Sequence, residues 1–179
     1  VNDLKTKISK ARYESDQANN ILTQLQNRRQ VLENMMKQPF AHQQGVRSVM
    51  QAKNSLSGVY GVVSELLIAH TDKALAVNAA LGGSIYQIIT KNEADARNAI
   101  SFLKRNRSGR ATFLPLSVCH PRKMNEQVIT IASTSPGFLG FASECVDCKE
   151  IFDPVKERLL GNVIVVDTLQ NANETAKRL

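Results

Sequence analysis

"KALAVNAALGGSIYQIITKNEADARNAISFLKRNRSGRATFLPL", residues 73–116, carries the signals that decide the fold class. From Asp72 the chain reads as a helix that Gly82 and Gly83 close in the manner of a left-handed C-terminal cap. "SIYQIIT" follows as a strand. "NEADARNAISFLKRN" is a second helix: Asn92 caps it, Glu93 and Asp95 sit in its first turn, and Lys104 and Arg105 sit in its last. Those charges complement the helix dipole. Gly109 ends the unit and "RATFLPL" supplies the next strand. Helices alternating with strands point to a compact mixed α/β domain.

The same rhythm extends on both sides. Upstream, "GVRSVMQAK" forms a short helix, and "GVYGVVSELL", β-branched and flanked by Gly58 and Gly61, a strand or a strand plus turn. Downstream, "QVITIAS" is expected as a strand and "SPGFLGFASECV" as a glycine-punctuated loop running into a short helix. "DPVKERLLG" is a helix from Asp153, with Pro154 at its first position and Gly161 just past its end. "NVIVVDT" is a buried-type strand, and "LQNANETAKRL" starts a final helix. The prolines Pro115 and Pro121 divide the domain into two halves near residues 115–125.

The amino terminus is different. Val1, Leu4, Ile8, Ala11, Ser15, Ala18, Leu22, Leu25, Arg29, Leu32 and Met36 follow one another at spacings of three and four, a heptad seam with Ser15 and Arg29 as its polar members. A helix lying on a globular body shows a wider apolar face. A helix of about 38 residues is about 57 Å long, so this one is expected to project and to end at Pro39, whose ring and missing N–H prevent continuation. So narrow a stripe needs a partner helix. Since the first residue is Val1 rather than Met, the chain is expected to come from a longer one.

Net charge is +7 and unevenly spread. Arg97, Lys104, Arg105, Arg107, Arg110, Arg122 and Lys123 fall between residues 97 and 123 with no acidic residue among them. That is either a polyanion footprint or a solvated basic surface. Cys119, Cys145 and Cys148 are too few for a disulfide framework and fit a reducing compartment. "CVDC" lacks the second ligand pair a zinc site needs. His42, His70 and His120 stand without companions at helical spacing, so neither a metal nor a general base is expected. No phosphate-cradling glycine motif and no nucleophile elbow occurs. The acidic residues Asp147, Glu150, Asp153 and Glu157 sit at helical spacing beside Lys149 and Lys156, as solvated helix faces do. No signal peptide and no apolar run long enough for a membrane helix is present. An enzyme domain on a coiled-coil oligomer would need clustered titratable groups, and an ordered metal at Cys145 and Cys148 would revive that reading.

From about Phe40 to Leu179 the chain resembles the hinge domain of bacterial SMC (structural maintenance of chromosomes) proteins. The carriers are "GVRSVM", "GVYGVVSELL", the 73–116 stretch with its "A-x-x-A-I-x-F-L-K" helix and "G-R-A-T-F-L-P-L", and "LLGNVIVVDTLQNANETAKRL". The resemblance implies an α+β (mixed α/β) hinge domain of two similar halves with a long N-terminal helix of an antiparallel coiled coil. Residues 1–38 would be one coiled-coil strand, 39–168 the hinge with halves of about 39–118 and 119–168, and 169–179 the start of the returning helix. It implies a homodimer paired through strand edges of opposite halves. It also implies non-sequence-specific binding of single-stranded or opened DNA, a cytoplasmic, nucleoid-associated setting and no membrane contact. The piece itself calls for no catalysis and no cofactor or metal. The full-length protein would bear an ATPase head and a kleisin-type subunit at the heads. Family members continue past the last helix into a strand and a glycine-rich signature beyond the position of Leu179. Candidate DNA contacts are Lys104, Arg105, Arg107, Arg110, Arg122 and Lys123, with Arg28, Arg29 and Lys37 on the arm. For Arg29 the alternative is register specification within the coil. Candidate interface or tight-turn glycines are Gly82, Gly83, Gly137, Gly140 and Gly161. The alternative function is a nucleic-acid-binding module on a coiled-coil oligomer, the piece itself not dimerising.

Overall fold

The computed structural model describes residues 2–37, Phe40 and 42–179; the helix stop expected at Pro39 lies outside them. The chain divides into two compact units, Val1–Ala41 and His42–Leu179. In the first unit, helix α1 runs from Asn2 to Lys37. Along its seam Ile8, Leu22 and Leu25 are more than half exposed, and Ala11, Ser15, Ala18 and Arg29 are exposed as well. Arg29 spans one turn to the Glu33 carboxylate at 3.3 Å, a pairing that adds only a few tenths of a kcal/mol, about 0.3–0.5, to an exposed helix.

The second unit begins with α2 (Gln44–Gln51), which buries Gly45, Val46 and Val49 on one face. There follow β1 (Val59–Val62), α3 (Val63–Leu66), β2 (Ile68–Ala69), α4 (Ala74–Leu81), β3 (Ile88–Thr90), α5 (Glu93–Asn106) and β4 (Phe113–Pro115). The chain continues through α6 (Glu126–Ser133), β5 (Phe138–Phe141), β6 (Val146–Asp147), α7 (Asp153–Leu160), β7 (Ile164–Val166) and α8 (Leu169–Arg178). Strand order β1-β3-β4 makes one sheet. There β1 is antiparallel to β3, whereas β4 is parallel to β3 with α5 as the crossover that parallel pairing requires. β5 pairs antiparallel with β7, and the short β2 with β6. Val63, Ile89, Val155 and Leu160 are fully buried in a largely aliphatic core, where the Tyr60 and Phe152 rings meet edge to face at 5.5 Å.

The β1–β3 and β5–β7 ladders each slip at a glycine, between Val59 and Gly61 and between Phe138 and Gly140. Each is preceded by a glycine at φ 70°, Gly58 and Gly137, a conformation that other residues adopt only under strain. Side-chain space is also closed there. A β-carbon on Gly58 would meet the Asp95 carboxylate, and one on Gly137 would meet Asp167 and Asn171.

Several local expectations are corrected. "QVITIAS" is helical, as α6. Asn125 accepts the Gln127 N–H at 2.9 Å as an N-cap. The Thr130 and Ser133 hydroxyls donate to the carbonyls of Glu126 and Ile129, one turn back. Val128, Ile131, Ala132 and Ser135 form its buried and half-buried stripe. Packing at helical spacing outweighs the weak strand preference of β-branched residues. "GFLGF" is strand β5 rather than loop; its glycines serve a bulge. In "SIYQIIT" only Ile88–Thr90 is strand, because Gly82–Tyr86 coils into a 3₁₀ turn. Gly82 has φ 49° with ψ −127°, which is not a left-handed cap. Helix α5 is closed by Arg107, at φ 49° and ψ 39°, rather than by Gly109. The Ser108 N–H reaches back to the Leu103 carbonyl at 3.1 Å.

Candidate nucleic-acid and pairing surfaces

The basic run of residues 97–123 does not fold into one patch. Lys104, Arg105 and Arg107 are exposed at the carboxyl end of α5. Arg110 lies beyond that end, in a loop whose backbone rests on the first turn of α2. There the Arg110 carbonyl fills the space over Gly45. Arg110 lines a cleft of about 530 Å³ together with Gln43, Tyr86, Gln87 and Thr112. Arg122 lines a second cleft, of about 300 Å³, with Arg158, Gln87 and Thr112. Gln87 and Thr112 therefore belong to both. They precede β3 and β4, and the Ile88 N–H donates to the Thr112 carbonyl at 2.9 Å.

Arg122 is held by its backbone. Its N–H donates to the Glu157 carbonyl at 3.3 Å, and its own carbonyl packs where Gly161 leaves room. Lys123 turns away into a third cleft, of about 710 Å³, whose walls include Glu126, Glu144, Asp153 and Glu157. That cleft disfavours a polyanion. On α1, Arg28 and Arg29 are exposed, and the Lys37 side chain lies outside the described residues.

The glycines divide similarly. Gly161 and Gly137 are sites of close approach within the chain, and a β-carbon on Gly140 would have only the Cys145 sulfur, 4.0 Å away. A β-carbon on Gly82 or Gly83 would meet nothing within 4 Å among the described residues beyond the adjoining chain. These two lie in the middle of a stretch, Ala74 to Thr90, that carries no charged side chain. Leu75 in that stretch is 87% exposed, and Asn78, Ala79 and Ala80 are also exposed.

The cysteines show no sign of activation. Burial pushes each of the Cys119, Cys145 and Cys148 thiols upward in pKa, most simply because a thiolate loses hydration there. Nearby Arg158, Lys73 and Lys156 respectively pull the other way. Among the described residues no group of three or more His, Cys, Asp or Glu side chains gathers to hold a metal.

Composition alone did not reveal Arg158, Tyr86 or Gln87. Arg158 follows Glu157 in α7, so its charge is masked locally. Tyr86 and Gln87 carry no charge at all. A parallel pairing of β3 with β4 was the signal needed, since it brings Gln87 beside Thr112.

With this geometry in view, comparisons with known proteins converge. The family model for the SMC proteins Flexible Hinge Domain matches residues 56–176, and the chain belongs to that family. The Chromosome partition protein Smc of Bacillus subtilis (strain 168) is 38% identical over 184 aligned positions, covering 99% of this chain and 16% of that protein. The Chromosome partition protein Smc of Lactiplantibacillus plantarum is 42% identical over 128 positions, covering 72% of this chain and 11% of that protein. Among solved structures, an asymmetric dimer of the Geobacillus stearothermophilus SMC hinge domain superposes with a TM-score of 0.79 at 37% identity, covering 97% of this chain and 69% of that one. The Pyrococcus furiosus SMC hinge domain gives 0.60 at 28% identity, covering 72% and 66%. The chain thus spans a small part of the curated relatives. No helix among the described residues is long and apolar enough to cross a membrane.

Proposed function

We propose that this chain is a dimerisation hinge of a chromosome partition Smc protein, joining two coiled-coil subunits and contributing non-sequence-specific DNA binding. The observation that carries pairing is the uncharged, exposed face of α4 formed by Leu75, Asn78, Ala79 and Ala80, with open space above Gly82 and Gly83. Two copies of a chain bearing +7 repel wherever charged surfaces meet. An uncharged face of small residues lets their backbones approach, and unpaired strand edges of the β1-β3-β4 and β5-β7 sheets offer backbone partners. The solved Geobacillus relative is a dimer.

The finer architecture follows the same reading. The β1–β3 and β5–β7 ladders, each bulged at a glycine after a glycine at φ 70°, are the cores of two similar halves that β2 and β6 join. The exposed heptad seam of α1 is covered by a returning helix that continues α8. In the longer protein, ATP turnover and a kleisin-type subunit belong to distant heads, in a cytoplasmic, nucleoid-associated assembly. The hinge itself performs no catalysis and takes no cofactor.

Co-expression of tagged and untagged copies tests the pairing. Retention of the untagged copy on the tag's affinity resin supports it, and recovery of tagged chain alone overturns it.

A further inference from the structure

We propose that the cleft walled by α6, β5 and α7 is a docking groove for an extended segment of a partner protein that sets a basic side chain beside an apolar one. The groove shares no lining residue with the exposed α4 face or with the clefts of Arg110 and Arg122. It is therefore a surface apart from those assigned to pairing and to DNA.

The opening goes with a short connection. Between α4 and β3 the chain coils into the 3₁₀ turn Gly82–Tyr86, which packs against α3 and α4. Between α7 and β7 only residues 161–163 intervene, and the corner beside Gly161 stays open, with a volume of about 710 Å³. Its rim is fixed by backbone. The Glu157 carbonyl accepts both the Gly161 N–H at 2.9 Å and the Arg122 N–H at 3.3 Å. A rim already in place lowers the ordering cost of binding.

Met124, Ile129 and Phe141 give the groove an apolar floor. Ile129 is 38% exposed. Phe141 is held edge to face against Phe138, with ring centroids 5.1 Å apart. An aromatic ring and an adaptable methionine accept aliphatic groups of varied shape.

The walls carry charge opposite in sign to the rest of the chain. Asp153 and Lys156 neutralise each other at 2.8 Å. Glu126, Glu144 and Glu157 then face Lys123 alone. Among the described residues none of these four enters an ion pair within 4.0 Å. Glu144 is kept at the rim by the Phe141 N–H, which it accepts at 3.4 Å. Three carboxylates against one ammonium leave an excess of two negative charges on a chain of net charge +7. A basic side chain is thus repelled by the chain as a whole and attracted here. A guanidinium forks between carboxylates and also lies well on an aromatic ring, so an arginine next to an aliphatic residue satisfies walls and floor together. The volume lies in the range of small-ligand pockets, which admits a few side chains of an extended segment rather than a folded element.

Fluorescence anisotropy with a short labelled peptide of alternating arginine and leucine tests this, beside a glutamate–leucine and an arginine–serine peptide of the same length. The arginine–leucine peptide is expected to bind saturably and each of the others at least about tenfold more weakly, since each loses either the walls or the floor. The double variant Glu126→Lys with Glu157→Lys is expected to weaken the arginine–leucine peptide at least about tenfold and to flatten its salt dependence. Ile129→Ser is expected to weaken it about fivefold or more with the salt dependence kept. Ile129→Met, which keeps an apolar floor, retains most of the binding and excludes misfolding as the cause. Glu93→Lys, a charge reversal on α5 outside the groove, leaves the affinity unchanged. Absence of saturable binding, equal binding of the three peptides, or a silent double variant overturns the proposal. Loss of self-association in Glu126→Lys, read by sedimentation, would make a second copy the occupant and would overturn it as well.

Discussion

The carbonyl of Arg110 occupies the space that a β-carbon on Gly45 would need. Because the obstacle is backbone, no rotamer change relieves the clash. Gly45→Ala is therefore expected to push the 108–111 loop off α2 and destabilise the domain by about 1–3 kcal/mol, the usual cost of overpacking. A lower midpoint in urea at unchanged slope is the expected result. Unchanged stability would mean the loop yields freely, which would leave Arg110 without its anchor.

Asp167 receives a 2.6 Å hydrogen bond from the Asn171 amide. That bond is the largest cause holding its carboxyl below the ordinary value of 3.8. A depressed folded-state pKa gives stability that is present above the ordinary value and is lost as pH falls through the lowered one. Asn171→Ala is expected to flatten that acid limb in melting temperature measured from pH 7 downward. An identical acid limb would remove the bond from the account.

All three thiols are shifted toward the protonated form by burial. Less thiolate at neutral pH means slow alkylation. Iodoacetamide at pH 7.5 is expected to modify Cys119, Cys145 and Cys148 more slowly than an unstructured peptide cysteine, and denaturant is expected to abolish the difference. A fast-reacting Cys148, the half-buried one, would contradict this and would point to chemistry at the C-x-x-C.

The Thr175 hydroxyl on α8 is buried and finds no hydrogen-bond partner among the described residues. An unsatisfied buried hydroxyl is costly, and replacement by an apolar group of the same shape recovers the loss. Thr175→Val is expected to stabilise the chain by about 1 kcal/mol, read as a higher urea midpoint. Destabilisation would show that the hydroxyl has a partner in solution.

Element order was legible where local signals agree. Asn92 with Glu93 and Asp95 announced α5, and its side chain accepts the Asp95 N–H at 2.9 Å. Pro154 and Gly161 bracketed α7 in the same way. Sequence misled where β-branched composition met tertiary packing, at Val128 to Ile131, and where glycines serve bulges rather than loops, at Gly137 and Gly140. The basic residues were visible, but their grouping was not. Separation of Arg122 from Lys123 depends on Gly161 admitting the Arg122 backbone, and Arg158 reaches the same cleft from residues far along the chain. Such long-range placements leave no periodic trace.

Sedimentation equilibrium of this chain at micromolar concentrations, beside Leu75→Asp, addresses the central claim of pairing through the uncharged α4 face. A mass of two chains for the wild type, reverting to one chain in the variant, is the predicted result. A single-chain mass for the wild type at every concentration would contradict it.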